Sequence, residues 1–234
     1  MKKMTSLLIM LVVGLLLFFA AIRQKPRVDD WTTQFAIEPD ELSTVGRNAY
    51  FILEPGHRLV LENGNERLII TVLGEIKRVG SIDTRVIEER ETVADQLIEI
   101  SRNYFAISKR TNSVFYFGED VDVYRNGQVV GHEGAWLDGV NGARFGMMMP
   151  GVPLLRSRYY QELAPGQAMD RAEIVSLTDT LTTTAGNFRG LLKVLETTPL
   201  EPGVREFKYY APGVGLVRDG SLRLVTHGMS QQSQ

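Results

Sequence analysis

The chain has no cysteine in its 234 residues. That removes disulfides, thiolate metal sites and cysteine nucleophiles together. The fold must hold by burial, which about 200 residues beyond a leader can supply. Histidine is also scarce. His57, His132 and His227 are the three present, and no two have the spacing of a metal-binding pair. No Gly-x-Ser-x-Gly occurs, so a nucleophile elbow is absent. Gly213-Val214-Gly215 lacks the third glycine of a nucleotide loop and leads into a strand pattern, which makes it a turn. These absences imply no metal and no cofactor.

Positive charge is in short supply outside the first 27 residues. Lys2, Lys3, Arg23, Lys25 and Arg27 are five of the 26 Lys and Arg, leaving 21 against 28 Asp and Glu. An acidic domain makes poor phosphate contacts, so no nucleic acid partner is expected. Charge is missing altogether from Met4 to Ile22. At 1.5 Å per residue this run is about long enough to cross a hydrocarbon layer of roughly 30 Å. Ile22 and Phe18 fit poorly at a small-residue cleavage site, which favours a retained anchor. The expectation is a single-pass protein of the bacterial inner membrane, held through residues 4–22, with the rest in the periplasm or outside. Secretion after cleavage is the alternative. The boundaries expected are a signal anchor at 1–27, a linker at 28–47, a β domain at 48–227 and a disordered tail at 228–234.

What fills the β domain is alternation and turns. Arg58–Glu62 meets Asn63-Gly64, Asp120–Tyr124 meets Asn126-Gly127, and Gly215–Arg218 meets Asp219-Gly220. Such dipeptides between apolar runs are hairpin signals. Thr84–Glu89, Leu97–Ser108, Val114–Phe117, Arg158–Leu163, Asp170–Leu177 and Phe188–Glu196 read as further strands. In Val204–Tyr210, Phe207 and Tyr209 share one face while Glu206 and Lys208 share the other. Residues 131–153 carry six glycines and read as a long excursion or loop. With no βαβ rhythm, the pattern predicts a mostly β fold. It is a large antiparallel meander curled by strand twist into a half-barrel or open barrel, preceded by one N-terminal transmembrane helix.

Several blocks carry a resemblance. Asn48-Ala49-Tyr50-Phe51-Ile52-Leu53-Glu54-Pro55-Gly56, Phe117-Gly118-Glu119-Asp120-Val121, Glu133-Gly134-Ala135-Trp136 and Met148-Met149-Pro150-Gly151 stand in that order. Tyr159-Tyr160-Gln161-Glu162 and Tyr209-Tyr210-Ala211-Pro212-Gly213-Val214-Gly215 follow. Together they resemble an uncharacterised family of exported bacterial β proteins, over about residues 48 to 225. The resemblance implies an extracytoplasmic location and no particular reaction. By fold analogy the curled sheet is similar to that of periplasmic lipoprotein carriers, which hold acyl chains on a concave face.

The candidate binding residues are Phe145, Met147, Met148 and Met149, with Trp136 nearby. Three thioethers beside a ring form either a pliable lip for an apolar ligand or a plug for the hollow of the sheet, and the plug is favoured. Asp120 and Asp122 fail the calcium-loop pattern, because Arg125 stands where glycine is needed, and read as a solvated strand face. The expected function is non-enzymatic: binding of an apolar ligand, a lipid or an envelope partner on the concave face. One alternative is a structural or assembly factor of the cell envelope without a pocket. Another is a hydrolase built around His132, Glu133 and Asp120.

Overall fold

Period-two alternation between apolar and polar residues makes strands, and tight turns make them neighbours. The computed structural model describes residues 30–230. The expected anchor at 4–22 and the last four residues lie outside them. Among the described residues no helix is long and apolar enough to cross a membrane. Strands β1 (His57–Asn63), β2 (Glu66–Val79), β3 (Ile82–Val93), β4 (Gln96–Ser108) and β5 (Val114–Arg125) form an antiparallel meander. Asn126 and Gly127 both take positive φ, 52° and 75°, the two-residue turn that matches strand twist.

Next come β6 (Arg144–Met149), β7 (Arg158–Tyr160), β8 (Glu162–Leu163) and β9 (Arg171–Thr183). The chain ends with β10 (Gly186–Thr197), β11 (Glu206–Ala211), β12 (Gly215–Asp219) and β13 (Leu222–Met229). The last strand pairs with the first, β13 on β1. The sheet runs β7-β9-β10-β11-β12-β13-β1-β2-β3-β4-β5-β6-β8, antiparallel throughout.

The two ends of that order are successive pieces of one stretch. Arg158–Tyr160 pairs with β9 and Glu162–Leu163 pairs with β6, with only Gln161 between them. The sheet is thus a nearly closed barrel, more closed than the half-barrel or open barrel expected from strand twist alone. A single strand that bends at Gln161 serves both edges and leaves neither unpaired. The outer backbone of Tyr159 is covered as well: Thr32 N–H donates to the Arg158 carbonyl, and Tyr160 N–H donates to that of Thr32, both at 3.0 Å.

Gly146 makes the closure possible. A side chain there would run into the carbonyl oxygens of Tyr160 and Gln161. That also corrects the reading of residues 131–153 as a loop. The stretch begins on Gly131, the end of a short strand on β5, adds Trp136–Leu137 on the same strand, and then supplies β6 to the wall. Its glycine at 146 allows close approach of backbones instead of marking a turn.

Two apolar clusters form. The inner one fills much of the barrel with Leu59, Leu61, Val72, Ile87, Phe105, Leu192, Val194 and Leu224. The outer one lies on the opposite face of β2 to β6. There Val86, Tyr104, Ala106, Phe115 and Phe117 are covered by Phe35, Ile37 and Leu42 from the segment before the barrel. Arg85, 4% exposed, pins that segment through Nε to the Thr44 carbonyl at 3.0 Å. Burial lowers its basicity, and no carboxylate pairs with it among the described residues.

Candidate functional site

The alternation that builds the barrel points residues 59 and 61, 70 and 72, and 87 and 89 inward from β1, β2 and β3. Cross-strand register stacks them: Leu59 opposite Ile70, and Ile70 opposite Glu89. On the facing arc, Lys208 stands opposite Asp219 and Tyr210 opposite Leu216. Between these walls lies a cavity of about 70 Å³. Its lining is mainly apolar, with Leu59, Ile70, Val72, Ile87 and Leu216. Glu89, Lys208 and Asp219 are its ionisable groups. It is about half the size of an engineered cavity that binds benzene, roughly 150 Å³.

The mouth is built by the segment before β1. Asn48 is 2% exposed, and its Nδ2 donates to the carbonyls of Asn112 at 2.8 Å and Pro150 at 2.9 Å. Its Oδ1 accepts from Tyr50 N–H at 2.8 Å. This clamp sets Tyr50 and Phe51 over the cavity, with Phe51 edge-on to Phe105 at 5.2 Å. His57 closes the same end, its Nε2 at 2.9 Å from the Val214 carbonyl. Burial lowers its pKa, so it stands neutral at pH 7.

The interior is rich in acid and poor in base. Lys208 Nζ lies 2.9 Å from Glu196 and 3.6 Å from Asp219. Burial works to lower its ammonium, but the pull of Asp219 and Glu196 wins and holds it well above the ordinary value. Glu89 has no hydrogen-bond partner among the described residues. Burial pushes it up to about 8, against the opposing pull of Lys208. Further round, burial pushes Glu119 up to about 7 and holds Glu162 well above the carboxylate range. Tyr210 is 3% exposed and lines the cavity, and its hydroxyl has no partner among the described residues.

The five binding candidates are dispersed. Phe145 lies on the outer face, stacked on Phe117 at 5.2 Å, and Met147 packs against both clusters. A register shift between Met147 and Met149 turns two neighbours inward. Met148 reaches the cavity, with its Sδ accepting from Gln161 Nε2 at 3.4 Å, and Met149 is buried in the inner cluster. Trp136 packs edge-on against Tyr116 at 5.2 Å. It lines a second hollow, of about 230 Å³, with Glu119, Ala143 and Ala164.

His132, Glu133 and Asp120 do not converge. His132 Nδ1 sits 3.0 Å from Asp122 and 2.7 Å from the Val121 carbonyl. Asp120 accepts from the Tyr104 hydroxyl and pairs with Lys77 at 3.6 Å. Both line an open outer groove with Arg102 and Glu88, while Glu133 lies against Gly131. No hydroxyl is hydrogen-bonded to His132 among the described residues. No trio of His, Asp or Glu gathers there to hold a metal ion.

The sequence reading missed Glu89, Lys208, Asp219 and Tyr210. A signal existed: Lys208 shares its face with Tyr210, and Glu89 continues the parity of Ile87. No protein-family model, curated protein or solved structure matches this chain.

Proposed function

We propose that this protein is a non-enzymatic binding module. Its barrel takes a small ligand with an apolar body, and residues 4–22 tether it to the inner membrane with the barrel on the far side. The observation that carries the reading is the cavity of Leu59, Ile70, Val72, Ile87 and Leu216, open beneath Tyr50 and Phe51. Apolar walls with a few convergent polar groups are the usual make-up of a small-molecule site. Native mass spectrometry of the full-length chain tests it. A released small molecule, or uptake of short alkyl compounds, is expected. A chain that neither carries nor takes up any such compound would end the reading.

A specific feature favours a second role at the surface. Val152, Leu154 and Leu155 are 76%, 64% and 57% exposed on one loop. Three large apolar side chains held in water suit contact with a lipid surface or an envelope protein. Replacing all three with serine is expected to leave ligand uptake intact and weaken that contact in crosslinking.

A further inference from the structure

We propose that the cavity ligand is a small primary ammonium compound. Its charged head lies between Glu89 and the Tyr210 hydroxyl, and its short alkyl chain lies on Leu59, Ile70, Val72 and Leu216. The inference rests on the cavity reading above and names the chemistry of its occupant.

Three acceptors line the cavity without a hydrogen-bond partner among the described residues: Asp219 Oδ1, which is buried, the Glu89 carboxyl and the Tyr210 hydroxyl, and each can accept from an N–H donor. A buried acceptor without a donor is costly, so an incoming ammonium meets a demand already built into the wall. An anion finds no such reception. The cation of the cavity, Lys208, is already engaged by Glu196 and Asp219. Asp219, whose Oδ1 is buried without a partner, would face a ligand carboxylate across the same small space. A divalent metal ion is a poor occupant too, because no trio of acidic or imidazole ligands converges among the described residues. A neutral alcohol fits the walls but brings one donor where an ammonium brings three. The small volume limits the alkyl body to a few carbons.

A proton balance follows. Burial holds Glu89 protonated at neutral pH, with Lys208, Asp219, Glu91 and Glu119 as its charged surroundings. An ammonium beside it favours the carboxylate, so the Glu89 proton leaves to solvent as the ligand enters.

The test uses the full-length chain in phosphatidylcholine nanodiscs, with empty nanodiscs subtracted. Butylammonium, 1-butanol and butyrate are titrated by calorimetry at pH 7 in two buffers of different ionisation enthalpy. Butylammonium is expected to bind about tenfold tighter than butanol, releasing up to about one proton, with butyrate excluded. Glu89→Gln is expected to bring the amine-to-alcohol ratio close to one. Equal binding of amine and alcohol, or preference for butyrate, would overturn the ammonium assignment and leave the cavity reading standing. Binding of none of the three would remove both.

Discussion

The two faces of β3, β4 and β5 are opposites. Outward they carry Val86, Tyr104, Ala106, Phe115 and Phe117, each under 5% exposed. Inward the same strands carry Glu89, Ser101, Asn103 and Glu119 beside Ile87 and Phe105. A small barrel ordinarily reads the other way round, apolar within and polar without. Here the outer apolar patch is satisfied by Phe35, Ile37 and Leu42 of the same chain. Its character therefore concerns stability and not docking. The inner acids do the reverse. Burying carboxyls costs free energy, so those groups do not help to hold the barrel together.

The largest expected effect tests that division directly. Phe117 is fully buried on the outer side, stacked on Phe145. Phe117→Ala should cost about 3–5 kcal/mol in urea unfolding, as for other large-to-small core changes. A cost below about 1 kcal/mol would mean that the cover segment does not make a core with the barrel, and the contrast between faces would collapse.

The closure is the next weakest point. Gly146→Ala forces a methyl group onto the Tyr160 and Gln161 carbonyls, which are backbone and cannot swing away. About 1–3 kcal/mol is expected to be lost. Amide exchange should rise first at Tyr160 and Leu163, where the split strand joins β9 and β6. Gly74→Ala is the control, since a side chain there meets nothing within 4 Å. Equal effects at 146 and 74 would show that the contact at the seam does not matter.

Much of the strand order was legible because hairpin turns announce themselves. Asn126-Gly127 sits in its turn as read, while the turns near Gly64 and Gly220 are one residue further on, at Gly64-Asn65 and Gly220-Ser221. The seam was not legible. Pairing of Leu163 with Arg144 and of Tyr160 with Arg171 depends on where the barrel meets itself, which no local pattern encodes. Nor was the cavity. Alternation in Glu206–Tyr210 separates Lys208 from Phe207, but it is indifferent to which side is dry. The usual assignment of charge to solvent fails where Lys208 pairs with Glu196 inside a wall. Phe207, on the other face, is 36% exposed.

The inner acids also predict a pH dependence opposite to that of ordinary surface carboxylates. Glu89 is pushed up to about 8 and Glu119 to about 7, both by burial. Unfolded, each returns to about 4.3. Between those values the folded state binds more protons than the unfolded one. Their contribution is therefore complete below about pH 4.3 and is lost as pH rises through 7 and 8. Unfolding midpoints should fall from pH 5 to pH 9. Glu89→Gln should match the parent at pH 5 and exceed it at pH 9. A variant less stable at both would mean that the carboxyl, and not its burial, is what the barrel needs.

The smallest effect belongs to neither face. β3 turns into β4 through Ala94 and Asp95, which carry positive φ of 49° and 61° without a glycine between them. Both are exposed, and Ala94 N–H donates to the Asn65 carbonyl of the neighbouring turn at 2.9 Å. The left-handed conformation strains an alanine by about 1–2 kcal/mol, and glycine would relieve it while keeping the N–H. Glycine also costs about 0.5–1 kcal/mol of added freedom in the unfolded chain. The difference favours Ala94→Gly by about 0.5 kcal/mol in the same urea titration, with ligand uptake and the pH slope unchanged. A shift in either of those would tie this end of the barrel to the cavity, and the turn would no longer stand apart from the contrast between inner and outer faces.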